Sequence, residues 1–165
     1  MKTYVLLYFA VFTAVTLNAQ AYEGRGDQKF QIGGELQDNG AGVQTSYDVG
    51  LGENISIGAA SSYLLGVEEL VNAGFVDRFD AKARVNLHLG SAIGLGERLD
   101  VFPGLNVSLK NLGVHLGARY FFSEGIGAYF QVGHPLARYK TKDRSLAEEF
   151  HNQLVINLGL SLNFL

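Results

Sequence analysis

Arg78-Phe79-Asp80-Ala81-Lys82-Ala83-Arg84-Val85-Asn86-Leu87-His88-Leu89 alternates polar and apolar residues without a break. Phe79, Ala81, Ala83, Val85, Leu87 and Leu89 share one face. Asp80, Lys82, Arg84, Asn86 and His88 share the other. A period of two is the signature of a β-strand, whose successive side chains point to opposite sides. One face of this strand is free of charge and the other carries charges of both signs.

The same period runs through the rest of the chain and predicts seven further strands. Gln28–Gln37 sets Phe30, Ile32 and Leu36 against Lys29, Gln31, Glu35 and Gln37, and Asp38-Asn39-Gly40 turns the chain. Val43–Leu51 sets Val43, Thr45, Tyr47, Val49 and Leu51 against Gln44, Ser46 and Asp48. Ile55–Leu65 offers Ile55, Ile57, Ala59 and Tyr63. Leu99–Leu109 offers Leu99, Val101, Leu105, Val107 and Leu109. Leu112–Phe122 sets Leu112, Val114, Leu116, Ala118, Tyr120 and Phe122 against His115 and Arg119. Ile126–Leu136 and Phe150–Leu165 complete the set. Pro103 and Pro135 cannot donate to a ladder, so each is expected at a rim or a bulge.

Alternation also describes a soluble sheet. Three features favour a membrane barrel. The apolar face of all eight strands lacks Lys, Arg, Asp and Glu, as lipid demands, where a midplane Arg costs about 2–4 kcal/mol. Most strands have the length of a tilted membrane strand, about 10 residues. The two long connections, Gly66–Asp77 and Arg138–Glu149, fall on the same end. With the N-terminus in the periplasm that end is the cell exterior, where such barrels place their longer loops. The expected fold is all-β: an eight-stranded antiparallel up-and-down transmembrane β-barrel. Tyr47, Tyr63, Tyr120, Phe121, Phe122, Tyr129 and Tyr139 are the candidates for its aromatic girdles, since Trp is absent.

The N-terminus reads as a cleaved signal peptide over 1–19. Lys2 gives a positive start, Tyr4 to Val15 an apolar core, and Leu17-Asn18-Ala19 a small-residue cleavage site. Residues 20–27 form an N-terminal periplasmic segment and 28–165 the barrel. Cysteine is absent, which excludes disulfides, thiolate metal sites, a cysteine nucleophile and an N-terminal lipoprotein anchor. A net charge of −3 without a basic patch argues against nucleic acid.

The polar face holds the candidate site residues: Lys29, Glu35, Asp48, Asp80, Lys82, Arg84, His88, His115 and Arg119. An eight-stranded barrel is just wide enough for its interior to be filled by side chains. Buried charges must be paired. These residues are therefore expected to form an interior polar network, with Glu35 or Asp48 meeting Lys82, Arg84 or Arg119. His88 and His115 share that face, but their spacing matches no metal motif. His134 and His151, with Asp143 and Ser145, flank or occupy the last long loop, as an acyl-transferring rim site would require. Gly33, Gly34, Gly58, Ala59 and Ala60 leave room for a small cavity. Arg25-Gly26-Asp27 matches an adhesion tripeptide but falls on the periplasmic side.

Glu23-Gly24-Arg25-Gly26-Asp27-Gln28-Lys29-Phe30-Gln31, Leu51-Gly52-Glu53-Asn54-Ile55-Ser56, Asp77-Arg78-Phe79-Asp80-Ala81-Lys82-Ala83-Arg84 and Pro103-Gly104-Leu105-Asn106 carry a resemblance. The chain resembles small outer-membrane β-barrels of Bacteroidota of unknown function, OmpX- or OmpW-like in architecture. The resemblance implies a fold and a location, and no catalytic or ligand residues. The expected protein is non-catalytic, without catalytic residues, cofactor or metal. It is a monomer in the outer membrane after export through the periplasm. Its partners are outer-membrane lipid and the assembly machinery, and its role is structural or surface-interacting. A conduit or binding site for a small hydrophobic molecule is the first alternative. A soluble secreted lipocalin-like carrier, with the faces inverted, is the second.

Overall fold

The protein is described by a computed structural model covering residues 21–38, 40–67, 73–90, 92–139 and 149–164. The expected signal peptide, Asp143 and Ser145 lie outside these residues.

Eight strands form: β1 (Gln28–Gln37), β2 (Gly40–Gly52), β3 (Ile55–Leu65), β4 (Phe79–Leu87), β5 (Leu99–Ser108), β6 (Asn111–Phe121), β7 (Ile126–Arg138) and β8 (Val155–Phe164). Each pairs antiparallel with its sequence neighbour, and β1 pairs with β8, so the sheet is a closed barrel without edges. Closure sets Gln28 opposite Phe164 and Gln37 opposite Val155. We call the end where β1 starts the near mouth and the opposite end the far mouth. Both long connections, 66–78 and 139–154, lie at the far mouth, as the sequence predicts.

The two faces sort as the alternation requires. Ile32, Leu36, Val43, Ile57, Val85, Leu87, Leu105, Leu116, Phe130, Leu158 and Leu160 are exposed on the outside. Lys29, Glu35, Asp48, Asp80, Arg84, His88, Asp100, His115 and Arg119 are buried inside. This is the reverse of a soluble carrier, whose apolar residues line the interior.

Several expectations need correction. Phe121 and Tyr129 do not join an outer girdle. They are 0% and 4% exposed, because they share the inward parity of Arg119 and Gln131. The last strand starts at Val155, not Phe150. Phe150 is instead buried with Leu64, Val67 and Ala73 across the far mouth. The opening strand is shorter than its alternation, because Phe75–Arg78 forms one helical turn, α1. Its start is fixed by Asp77, whose carboxylate accepts from the Gly74 amide at 2.9 Å. Gly33 and Gly58 do not leave a void. A Cβ on either would lie 2.1 Å from Leu158 O or Asp48 Oδ1, so neighbouring atoms already fill the space. Ala59 faces outward.

The two prolines differ. Pro135 sits at the register shift between Leu112 and Gly113, a bulge as expected. Pro103 lies neither at a rim nor at a bulge. The β4–β5 register runs from Lys82–Ser108 to Asn86–Gly104, then resumes with Leu89 N donating to Val101 O. Leu87 and Pro103 would be the intervening hydrogen-bonded pair, and proline brings no N–H to it. The seam therefore lacks the one hydrogen bond that residue 103 would donate.

Candidate functional site

The interior side chains group in layers along the barrel axis. At mid-barrel, Asp48 of β2 meets Arg84 of β4. Arg84 Nε donates to Asp48 Oδ1 at 2.6 Å and Nη2 donates to Oδ2. The same guanidinium reaches Gln131 Oε1 at 3.2 Å and Gln31 Oε1 at 3.1 Å. Four strands are thereby tied across the lumen by one planar fork, a task suited to Arg and not to Lys.

Nearer the near mouth, Asp100 Oδ2 accepts from Arg119 Nη2 at 3.0 Å and from Arg119 Nε at 3.2 Å. The Arg119 guanidinium lies 4.7 Å from the centre of the Phe102 ring. At the mouth itself, Lys29 Nζ is 2.6 Å from Asp27 Oδ1 and donates to Asn163 Oδ1 at 2.8 Å. Asp27 is thus buried and paired, so the Arg25-Gly26-Asp27 tripeptide is no free ligand.

His88 and His115 are two links of one chain of hydrogen bonds. Asn106 Nδ2 approaches His115 Nδ1 at 3.3 Å, and His115 Nε2 approaches Asn86 Oδ1 at 2.8 Å. Asn86 Nδ2 donates to Ser56 Oγ at 3.0 Å, and Ser56 Oγ lies 2.8 Å from His88 Nε2. His88 Nδ1 lies 2.7 Å from Asp100 Oδ2. The two amides set the directions at His115 and Asn86, since an amide N–H only donates and its oxygen only accepts. Protons point from Asn106 through His115 and Asn86 to Ser56, and His115 therefore carries its proton on Nε2. Beyond Ser56, His88 Nδ1 lies between Asp100 Oδ2 at 2.7 Å and Arg119 Nη2 at 3.0 Å.

The last three members, Ser56, His88 and Asp100, have the hydrogen-bond order of a nucleophilic relay. Their surroundings argue against catalysis. Ser56 and His88 are each 1% exposed. Tyr22 stacks on the His88 ring at 3.6 Å between centroids. Asp100 is already committed to Arg119. Ser56 is not among the residues lining the cavity that reaches His88 and Asp100.

Both mouths are covered. At the near mouth residues 21–27 fold back as a strap. Gly26 N donates to Gly50 O at 2.9 Å, and Gly50 N to Asp27 O at 2.7 Å. The Tyr22 hydroxyl donates toward Gly52 O at 2.9 Å and Ile55 O at 2.6 Å. Burial, then the nearby Asp27 charge, pushes the Tyr22 phenol up to about 12. Gly50 must lack a side chain, because a Cβ there would meet Gly24 O at 1.9 Å. Beside the strap a cavity of about 350 Å³ lies between Tyr22, His88, Glu97 and Leu99.

At the far mouth, His151 enters the lumen at a positive φ of 62°, a conformation rare outside glycine. Its Nδ1 is 3.1 Å from Glu35 Oε1, and its Nε2 donates to Arg78 O at 3.0 Å. His151 N donates to Gln37 Oε1 at 2.9 Å, and Asn111 Nδ2 donates to His151 O at 2.8 Å. Lys82 Nζ lies 3.6 Å from Asp80 Oδ2. At the rim, burial pushes the Lys110 ammonium below its ordinary range despite the nearby charges of Asp80 and Asp77. The void beneath this lid is about 30 Å³, lined by Gln44, Lys82, His115, His151 and Asn157 among others.

All nine sequence-predicted residues are interior. Asp48 pairs with Arg84 as expected. Arg119 pairs with Asp100 and Glu35 with His151, partners the alternation did not single out. His134 is exposed, and both it and His151 line the void at the far mouth. Among the described residues no group of three or more His, Cys, Asp or Glu side chains is placed to hold a metal ion.

No curated protein matches the chain. Solved structures do match its fold. The N-terminal β-barrel domain of Pseudomonas aeruginosa OprF shares 12% identity at a TM-score of 0.61, over 86% of this chain and 100% of that one. A de novo designed transmembrane β-barrel shares 9% at 0.58, over 86% and 98%. The Yersinia pestis outer membrane protein Ail shares 10% at 0.51, over 85% and 100%. At these identities the likeness concerns the fold. The family assignment comes from a sequence model matching residues 12–164, by which the chain belongs to a family of unknown function, DUF6646.

Proposed function

We propose that the chain is an outer-membrane barrel closed to transport and without catalytic activity, whose role is structural or surface-interacting. The observation that carries this reading is the polar lumen: the ion pairs Lys29–Asp27, Arg84–Asp48 and Arg119–Asp100 inside, capped by the Tyr22 strap at one mouth and by Phe150 and His151 at the other. The charge-free outer face fits a lipid bilayer, and the solved structures of similar fold include outer-membrane barrels. Export through the periplasm, insertion by the outer-membrane assembly machinery and a monomeric state complete the proposal.

A conduit needs a continuous path. The void under the far lid, about 30 Å³, has room for two or three waters, which need about 10–15 Å³ each. The test is conductance. Protein refolded into a planar bilayer is expected to leave the membrane electrically silent across the accessible voltage range. Reproducible unitary current steps would overturn the reading.

A further inference from the structure

The far-mouth connection between β3 and β4 does not simply project into solvent. Its last turn, α1, lies against the outer wall of the barrel. Phe75 stacks on Phe79 with ring centroids 5.5 Å apart and lies 5.5 Å from the Tyr63 ring. Tyr63 and Phe79 are an outward-facing cross-strand pair of β3 and β4. The Phe75 ring thus extends the barrel's outer apolar face upward past the last ladder pair.

This single turn is two-sided. Phe75 and Val76 are 65% and 77% exposed. The polar groups fasten it to the rim: Arg78 Nε donates to Leu64 O at 3.0 Å, and its guanidinium covers the Tyr63 ring at 4.6 Å. Lys110 Nζ donates to Asp77 O. Asp77 caps the turn. The rim therefore holds the backbone and charges of α1, while two large apolar side chains stay exposed, with nothing over them among the described residues. An amphipathic aromatic surface with a cation beside it suits the boundary between headgroups and acyl chains.

We infer that α1 is an interfacial anchor: Phe75 and Val76 insert at the headgroup level of the leaflet surrounding the far mouth and tie residues 73–78 to the membrane surface. The inference rests on the membrane reading of the barrel. Continuity decides the occupant, since the Tyr63–Phe75–Phe79 cluster joins the lipid-facing belt directly.

The chain has no tryptophan, so one introduced residue reports its own surroundings. Phe75→Trp and, as a mid-belt control, Phe130→Trp are refolded into phosphatidylcholine vesicles brominated either shallowly or deeply in the acyl chain. The expected result is that Phe75→Trp is quenched several-fold more by shallow than by deep bromines and resists aqueous iodide. Phe130→Trp should show the opposite depth preference. Iodide quenching of Phe75→Trp without bromolipid quenching overturns the anchor. So does protection from both quenchers, which signals a protein partner or a second copy. If Phe130→Trp also escapes every bromolipid, the membrane reading itself fails. That outcome is distinct from failure of the anchor alone.

Discussion

Asp48 and Arg84 face each other from β2 and β4 at the middle of the lumen, with Arg84 Nε 2.6 Å from Asp48 Oδ1. Each is buried to within a few percent of its surface. Removing one partner leaves a charge without an opposite in a place water barely reaches, which costs about 3–5 kcal/mol. Asp48→Ala and Arg84→Met are each expected to destabilise by that amount in denaturant titrations of refolded protein. The double variant should lose clearly less than the sum of the singles. Strict additivity would show that the pair is not coupled.

The amides of Asn106 and Asn86 fix the tautomer of His115. Long-range nitrogen–proton spectra should place the His115 proton on Nε2. A proton on Nδ1 would contradict the chain. Ser56→Ala strands the Asn86 donor, removes the partner of His88 Nε2 and should cost about 1–3 kcal/mol. A fluorophosphonate probe should leave Ser56 unlabelled.

Tyr22 offers a pH signature. Its phenol ionises near 10 when unfolded and is raised to about 12 in the folded strap, by burial first and the Asp27 charge second. A folded pKa above the unfolded one means the contribution is complete below pH 10. It is lost as pH climbs from 10 to 12. Ultraviolet difference titration of wild type against Tyr22→Phe should isolate one late-ionising tyrosine. The variant should also show a shallower alkaline loss of stability over that window. A Tyr22 that titrates at 10 refutes the strap's burial of the phenol.

Gly33 and Gly159 sit opposite each other on the closing β1–β8 seam. A Cβ on Gly33 would lie 2.1 Å from Leu158 O, and one on Gly159 would lie 2.2 Å from Ile32 O. Either change to Ala should destabilise by about 1–3 kcal/mol, the usual range for overpacking. The fraction showing heat-modifiable gel migration should fall. Gly34→Ala is the control, since its nearest neighbour would be 4.0 Å away. Equal tolerance at all three positions would mean that the seam adapts.

The strand count, the faces and the far-end placement of the long loops were legible because lipid and lumen impose opposite demands on alternate residues. Arg84 and Asp48 could be assigned to one chamber from parity alone. Who pairs with whom was not legible. That depends on the stagger of the closed barrel, which sets Asp100 opposite Arg119 in the β5–β6 register. Phe121 and Tyr129 join the girdle candidates for being aromatic, although the parity that turns Phe122 outward turns Phe121 inward. The sequence reading puts His151 at the start of the last strand and among the rim candidates, whereas it lies in a turn whose positive φ no local pattern announces. Tyr22 and Asp27 precede the first strand, where periodicity says nothing.

The β1–β8 seam carries ten residue pairs, as many as the β1–β2 hairpin, yet no turn connects its strands. Gln28 and Phe164 are neighbours at one mouth. The barrel is thus a ring that the chain happens to enter between these two strands. A short link from β8 back to β1, with a new opening at the tight Glu53–Asn54 turn, would give a permuted chain. Its strands follow a different order of synthesis but meet the same partners. Should that chain still assemble, the order in which strands are made is not the order on which assembly depends.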